Sequence, residues 1–208
     1  MKTLLRLRVS PNRKVGTAEI VFGPRIRNPS SEIKQEFEAT LETFQAPEPS
    51  PLEEIRVDMA DAMVESRPVS LVTNVGSCVA ICLHDMINKS GGLAHIMLPA
   101  PNDSHDPLPY KYAATAVPVL ANSIRKLHSA NSCIVAKISG GANMFSNLRF
   151  ETMKIGERNA QAAREALMAN RIRLLAEDIG GTYGRRIMFN VFDGALFVTT
   201  LKGDVKKL

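Results

Sequence analysis

The stretch NVGSCVAICLHDMINKSGGLAHIMLP, residues 74 to 99, contains two apolar runs of strand length separated by turn-forming residues. The runs are CVAICLH at 78 to 84 and LAHIML at 93 to 98. We predict that they form an antiparallel hairpin whose short loop is centred on DMIN, residues 85 to 88. The register of this hairpin decides which polar side chains face the interior, so it is the starting point for both the fold and the function.

A loop centred on DMIN fixes one register for the hairpin. The predicted pairs are 84 with 89, 82 with 91, 80 with 93 and 78 with 95. Cys78 then lies directly opposite His95, and directly opposed residues have Cβ atoms about 4.5 to 5.5 Å apart. A slip of one residue would turn His95 to the other face, so the prediction depends on the register.

Cys78 and His95 have the chemistry of a nucleophile and its base. Contact between them would favour a thiolate with an imidazolium, and the thiolate is the form that attacks. Gly76 would allow close approach of a substrate, and the amides of Ser77 and Cys78 could donate to a developing oxyanion. The same residues also fit a buried hairpin with a packed cysteine and a satisfied histidine, and the pattern alone leaves both interpretations open.

The elements around the hairpin mix strand and helix patterns. Further strands are predicted at 70 to 75, 133 to 139, 172 to 181, 185 to 194 and 195 to 202, and helices at 111 to 128 and 157 to 169. Asp193-Gly194 is typical of a tight hairpin turn. This order favours an α+β fold, an α/β sandwich with a mixed or antiparallel sheet packed by helices, over a doubly wound nucleotide-binding fold.

The composition changes at QAPEPSPLEE, residues 45 to 54, which has the character of a linker. We therefore predict an N-terminal extension and proline-rich linker at 1 to 54, followed by a domain at 55 to 208. The predicted elements of the extension are strands at Leu4 to Val9 and Thr17 to Phe22 and an amphipathic helix at Glu32 to Phe44.

Composition excludes several function classes. The net charge of +5 is modest, and with 5% aromatic residues and no tryptophan there is no stacking platform to indicate nucleic-acid binding. Arg6 and Arg8 interrupt the only signal-like run, and no apolar run is long enough to span a membrane. We therefore expect a cytoplasmic protein that does not insert into membranes.

The three cysteines, Cys78, Cys82 and Cys133, are an odd number and contain no CxxC pair. We expect free thiols, with Cys82 and Cys133 in the core. His84, beside a turn, is expected to be exposed. A metal site built from Cys82, His84 and His95 has an unconvincing spacing, so we predict neither a metal nor a cofactor.

Six blocks of the chain point to one family. They are NVGSCVAICLHD, GGLAHIMLP, KYAATAVPVL, AKISGGANMF, IGERNA and EDIGGTYGRRIMF. In this order, over about residues 55 to 202, they resemble the CheD family of chemoreceptor glutamine deamidases. The resemblance implies an α/β sandwich in which Cys78 is the nucleophile and His95 the general acid and base.

The resemblance also implies a threonine that orients the histidine. Some members hold it six places before the cysteine, where this chain has Val72, whereas Thr73 lies five places before. Because neighbouring strand residues face opposite ways, we expect Thr73 to complete the site only if the strand bulges or turns there.

The activity implied by the resemblance is conversion of specific glutamines of methyl-accepting chemotaxis receptors to glutamate through a thioester. Hydrolysis of methyl esters at the same receptor sites is also linked to the family. The alternative is a non-catalytic binding module that regulates a CheC-type phosphatase or a receptor, since family members also bind such a phosphatase. A general cysteine peptidase is weaker, because no specificity pocket is evident in the sequence.

Overall fold

A computed structural model describes residues 52–101, 108–128, 131–143, 155–200 and 202–208. These residues belong to a unit that spans Pro51–Leu208. The strands and the helix predicted for the N-terminal extension lie outside the described residues. The boundary between residues 54 and 55 stays a prediction.

The described residues form ten strands, two α-helices and one 3-10 helix. The strands are β1 (Glu54–Arg56), β2 (Ala62–Glu65), β3 (Ser70–Val75), β4 (Val79–Asp85), β5 (Ser90–Ile96), β6 (Ile134–Gly140), β7 (Arg173–Ile179), β8 (Arg185–Asn190), β9 (Leu196–Thr200) and β10 (Val205–Lys207). The helices are α1 (Ala113–Lys126) and α2 (Ile155–Ala169), and the 3-10 helix is Pro109–Lys111. The strands and helices predicted between residues 70 and 202 are confirmed, whereas β1, β2 and β10 were not predicted.

The strands form two mixed sheets. The first sheet has the order β1-β3-β8-β9-β10 and the second β2-β5-β4-β6-β7. Only the pairs β1–β3 and β6–β7 are parallel among these described strands. The predicted α+β class, with mixed sheets packed by helices, is confirmed.

The second sheet is buried on both faces. Alternate residues of β4 and β5, such as Cys82 and Leu93, join Leu71 and Phe189 of the first sheet in one apolar cluster. The intervening residues, such as Ile81, join the buried faces of α1 and α2 in another cluster. The layers are therefore, in order, the first sheet, the second sheet and the helices. Because successive side chains of a strand point to opposite faces, alternate residues of β4 and β5 lie in different cores.

The turn of the β4–β5 hairpin differs from the predicted one. The carboxylate of Asp85 accepts hydrogen bonds from the N–H groups of Ile87 and Asn88 at 3.0 and 3.3 Å, and Lys89 has a φ of 54°. The loop is therefore residues 86 to 89, and the ladder resumes with Asp85 opposite Ser90. The predicted register is wrong by two residues. Because the side-chain period is two, the predicted faces are still correct.

Candidate active site

Cys78 lies where the chain passes from one sheet to the other. β3 of the first sheet ends at Val75, and β4 of the second begins at Val79. The connection, Gly76 to Cys78, is half-buried, and Cys78 packs against the core between the sheets. The thiol is therefore anchored by apolar contacts while it remains partly accessible.

His95 and Thr73 meet across the two sheets. Both side chains are buried, and Oγ1 of Thr73 lies 2.8 Å from Nδ1 of His95. A hydroxyl here can accept the Nδ1 proton or donate its own, so the contact orients the ring in either tautomer. The second ring nitrogen, Nε2, is buried without a hydrogen-bond partner among the described residues.

Thr73 reaches His95 from a regular strand. It pairs with Ile187 in an antiparallel ladder that shows no register shift. The expectation that Thr73 needs a bulge or turn is wrong, because the inward face of β3 already points at the second sheet. Leu71 and Val75, two residues either side of Thr73, belong to the core between the sheets, whereas Val72 lies on the other face.

The register correction moves Cys78 relative to His95. His95 lies opposite Ala80, and Cys78 precedes Ala80 by two residues. Cys78 lies in the bend that precedes β4, and it packs against the same inter-sheet cluster as Ala80. The predicted direct pairing is wrong, but thiol and imidazole remain on the same side of the sheet.

Burial keeps both groups of the pair neutral. Burial raises the pKa of the Cys78 thiol, and its own backbone amide offsets part of that rise. Burial lowers the pKa of His95, opposed by the negative charge of Asp58. Both shifts favour a neutral thiol beside a neutral imidazole over a thiolate with an imidazolium. A neutral imidazole can act as the general base that removes the thiol proton during attack.

The backbone of the Gly76–Cys78 loop is held by its carbonyl oxygens. The carbonyl of Gly76 accepts from the N–H of Ala142, and that of Cys78 from the N–H of Gly141, each at 2.8 Å. Between them, the carbonyl of Ser77 accepts from the side chain of Asn159 at 3.0 Å. The sequence indicated only a helix start around Asn159. The groups that accept hydrogen bonds from Asn159 are main-chain carbonyls. Every residue has such a carbonyl, so no residue type in the sequence indicates this contact.

Cys82, Cys133 and His84 are the further candidates whose positions the structure describes. Cys82 is buried as predicted, but Cys133 is exposed, contrary to the expectation of a core position. His84 is buried, not exposed, because the β8–β9 turn covers it at Gly194. The part of the chain that the structure describes contains no group of three or more side chains suited to hold a metal ion.

The sequence matches known proteins over most of this domain. A family model, CheD chemotactic sensory transduction, matches residues 97–200, a range that begins after Cys78 and His95. A Methanococcus maripaludis protein named probable chemoreceptor glutamine deamidase CheD is 40% identical over 146 residues, 70% of this chain and 94% of the relative. A Desulfitobacterium hafniense protein of the same name is 44% identical over 154 residues, 73% of this chain and 96% of the relative.

Fold and site together define an α+β sandwich with a half-buried cysteine and a threonine-bound histidine at the junction of its sheets. The sequence identity to these relatives and the coverage of the matches show that the chain belongs to the CheD family.

Among solved structures, Bacillus licheniformis hypothetical protein YfiH is 12% identical to this chain with a TM-score of 0.34, and the match covers 75% of this chain and 73% of that one. Within the described ranges, no helix is long and apolar enough to cross a membrane.

Proposed function

We propose that this protein deamidates specific glutamines of methyl-accepting chemotaxis receptors, acting in the cytoplasm. The names of its relatives, chemoreceptor glutamine deamidases, support this substrate class. The observation that carries the proposal is the 2.8 Å contact between Thr73 and His95, because it orients a buried imidazole on the face that carries the half-buried Cys78. An orienting group, a base and a nucleophile are the parts that acyl transfer requires.

In the first step, Sγ of Cys78 attacks the side-chain carboxamide carbon of the glutamine. Nε2 of His95 takes the thiol proton, which requires that Nδ1–H donates to Oγ1 of Thr73. The resulting tetrahedral oxyanion accepts hydrogen bonds from the amides of Ser77 and Cys78. A substrate seated against the loop also excludes water, which strengthens these hydrogen bonds.

The tetrahedral intermediate then loses ammonia. His95 returns the proton to the departing nitrogen as the C–N bond breaks, and a thioester remains on Cys78. His95 next deprotonates a water molecule that attacks the thioester. The C–S bond then breaks, and His95 returns the proton to the sulfur, which releases glutamate and the free thiol. A receptor methyl ester would follow the same steps with methanol as the leaving group.

The charge of the protein suits such a substrate. A net charge of +5 favours encounter with acidic receptor helices. We further propose a CheC-type phosphatase as a second partner. The Cys78→Ala protein should retain binding to either partner, because the substitution removes the nucleophile and leaves the surrounding surface in place.

The test is peptide mass spectrometry of a glutamine-bearing receptor cytoplasmic fragment, incubated with the reduced protein. A gain of about one mass unit at defined glutamines, with release of one ammonia per site, is expected. Absence of any gain on several receptor fragments, with a folded protein and a free thiol, would contradict the proposed activity and favour a regulatory binding module.

A further inference from the structure

Asn159 links the two halves of the candidate site. It is fully buried near the start of α2. Its Nδ2 donates one hydrogen bond to the carbonyl of Ser77 at 3.0 Å and another to the carbonyl of Met97 at 2.7 Å. Ser77 immediately precedes Cys78, and Met97 lies two residues after His95. One carboxamide therefore holds the segments that carry the thiol and the imidazole.

The orientation of this carboxamide follows from its partners. Both partners are carbonyl oxygens, which only accept, so the NH₂ group of Asn159 must face them. Its Oδ1 is buried and has no hydrogen-bond partner among the described residues. Burial of an unpaired carboxamide oxygen costs free energy. An apolar side chain could fill the same space without that cost, so packing alone does not explain an asparagine here.

Two glycines bring Asn159 into reach of the loop. A Cβ on Gly156 would lie 2.6 Å from the carbonyl oxygens of both Gly141 and Ala142. A Cβ on Gly141, which has a φ of 63°, would lie 2.7 Å from the carbonyl oxygen of Gly156. The motifs SGGAN and IGERN therefore let the start of α2 pack backbone against backbone beside the Cys78 loop.

The hydrogen bonds to the loop determine where its amides point. A trans peptide is a rigid plane in which C=O and the following N–H point in opposite directions. No peptide bond in the described residues is cis. Because Asn159 fixes the carbonyl of Ser77, it also turns the N–H of Cys78 away from α2. Likewise, the N–H of Ala142 donates to the carbonyl of Gly76, which fixes the direction of the N–H of Ser77.

We propose that Asn159 is a positioning residue for deamidation: it fixes the Ser77–Cys78 peptide so that the Cys78 amide donates to the oxyanion. The inference rests on the proposed function. The hydrogen bonds of Asn159 go to main-chain carbonyls and not to the thiol. Its loss should therefore slow acyl transfer and leave substrate binding and the intrinsic reactivity of the thiol nearly unchanged.

The experiment compares Asn159→Ala with the wild-type protein in two reactions. Deamidation of the receptor fragment forms an oxyanion, whereas alkylation of Cys78 by iodoacetamide does not. We expect kcat to fall about 10- to 100-fold with KM within about threefold. The rate of Cys78 alkylation, resolved by peptide mass spectrometry from that of exposed Cys133, should stay within about threefold of wild type.

Asn170→Ala is the matched control. Nδ2 of Asn170 also donates to a main-chain carbonyl, that of Ala166 at 2.8 Å, just beyond the other end of α2. This variant should keep wild-type kcat. Asn159→Ser, which leaves room for water at the two carbonyls, repeats the test should the alanine form not fold.

Each other outcome overturns the inference. An Asn159 variant with kcat near wild type would show that the Ser77–Cys78 peptide holds its orientation unaided. Parallel losses of deamidation and alkylation, or failure of both variants to fold, would assign Asn159 a structural role. Those results leave the proposed function standing, whereas an inactive wild-type protein would overturn both.

Discussion

Two cysteine–histidine pairs face the space between the sheets, and they differ in the accessibility of the cysteine. Cys78 and His95 lie at one end of the β4–β5 hairpin, and Cys82 and His84 lie nearer its turn. Cys78 is half-buried, whereas Cys82 is fully buried, and burial raises the pKa of the Cys82 thiol far above its usual range. Nε2 is buried without a partner in both histidines, within the described part of the chain.

The difference lies in the backbone more than in the side chains. Cys82 is in mid-strand, paired with Leu93 on one side and Lys137 on the other, so the ladders occupy its surroundings. Cys78 precedes the strand, in a loop whose carbonyls are held from behind and whose amides can face a substrate. A cysteine and a histidine on one face are therefore not enough, because acyl transfer also needs access and oriented donors.

Removal of the two thiols should have opposite consequences. Cys78→Ala should lower deamidation at least about 10⁴-fold, because it removes the proposed nucleophile. Cys82→Ala should keep activity within about threefold and lower the free energy of unfolding by about 1 kcal/mol, because it leaves a small cavity. Rates on the receptor fragment and urea denaturation measure the two effects. Substantial activity in Cys78→Ala would refute the comparison.

Replacement of each histidine should also distinguish the two cysteine–histidine pairs, with a smaller effect than removal of the thiols. His95→Asn should lower kcat/KM about 10²- to 10⁴-fold, because general acid–base catalysis is lost. His84→Asn should leave kcat/KM within about threefold, since its ring lies against the β8–β9 turn and away from the loop. Steady-state rates of ammonia release with the receptor fragment compare the variants. Equal losses would remove the distinction between the pairs.

The neutral resting pair predicts a distinctive pH profile for Cys78. Because its thiol pKa is raised, the thiolate fraction should grow about tenfold per pH unit through neutrality, with no plateau below pH 9. Second-order rates of iodoacetamide alkylation, followed at the Cys78 peptide from pH 6 to 10, measure this fraction. A plateau below pH 8 would instead indicate a thiolate–imidazolium pair.

Loss of the Thr73 hydroxyl should have a moderate effect. Thr73→Val removes the hydrogen bond to His95 and should lower kcat/KM about tenfold, as expected for one net hydrogen bond. Thr73→Ser keeps the hydroxyl and should restore most of the activity. Equal activity of the valine and serine forms would mean that the ring is oriented without Thr73.

The smallest expected effect is on stability. Burial lowers the pKa of both His84 and His95, so below about pH 6.5 the unfolded chain takes up protons that the folded protein resists. The free energy of unfolding should fall on acidification from pH 7.5 to 5.5, by at most about 1.4 kcal/mol per pH unit for each histidine. Urea denaturation at both pH values tests this, and His84→Asn should show a weaker pH dependence. A free energy of unfolding that does not change would contradict burial of the neutral rings.

The strands and helices were predictable because apolar periodicity is a local property. The register was not, because two hydrogen bonds that the Asp85 carboxylate accepts in the turn and the left-handed conformation of Lys89 place the loop one residue later than its composition indicated. A loop one residue later shifts the pairing by two residues, so the predicted faces of Cys78 and His95 are still correct.

Tertiary contacts account for the site geometry that local sequence patterns could not show. Thr73 meets His95 because one sheet lies on the other, which the pattern within a strand cannot show. His84 is buried by a turn more than a hundred residues away, at Gly194. Asn159 was missed for a third reason, since its hydrogen bonds go to main-chain carbonyls.

The most direct test of the central claim is capture of the acyl-enzyme. The protein and an excess of receptor fragment are mixed, quenched in acid within one turnover and analysed by intact and fragment-ion mass spectrometry. We predict a covalent adduct with the mass of both molecules less one ammonia, located on Cys78. Steady release of glutamate product without an adduct on Cys78, or with the adduct on Cys82, would contradict the account.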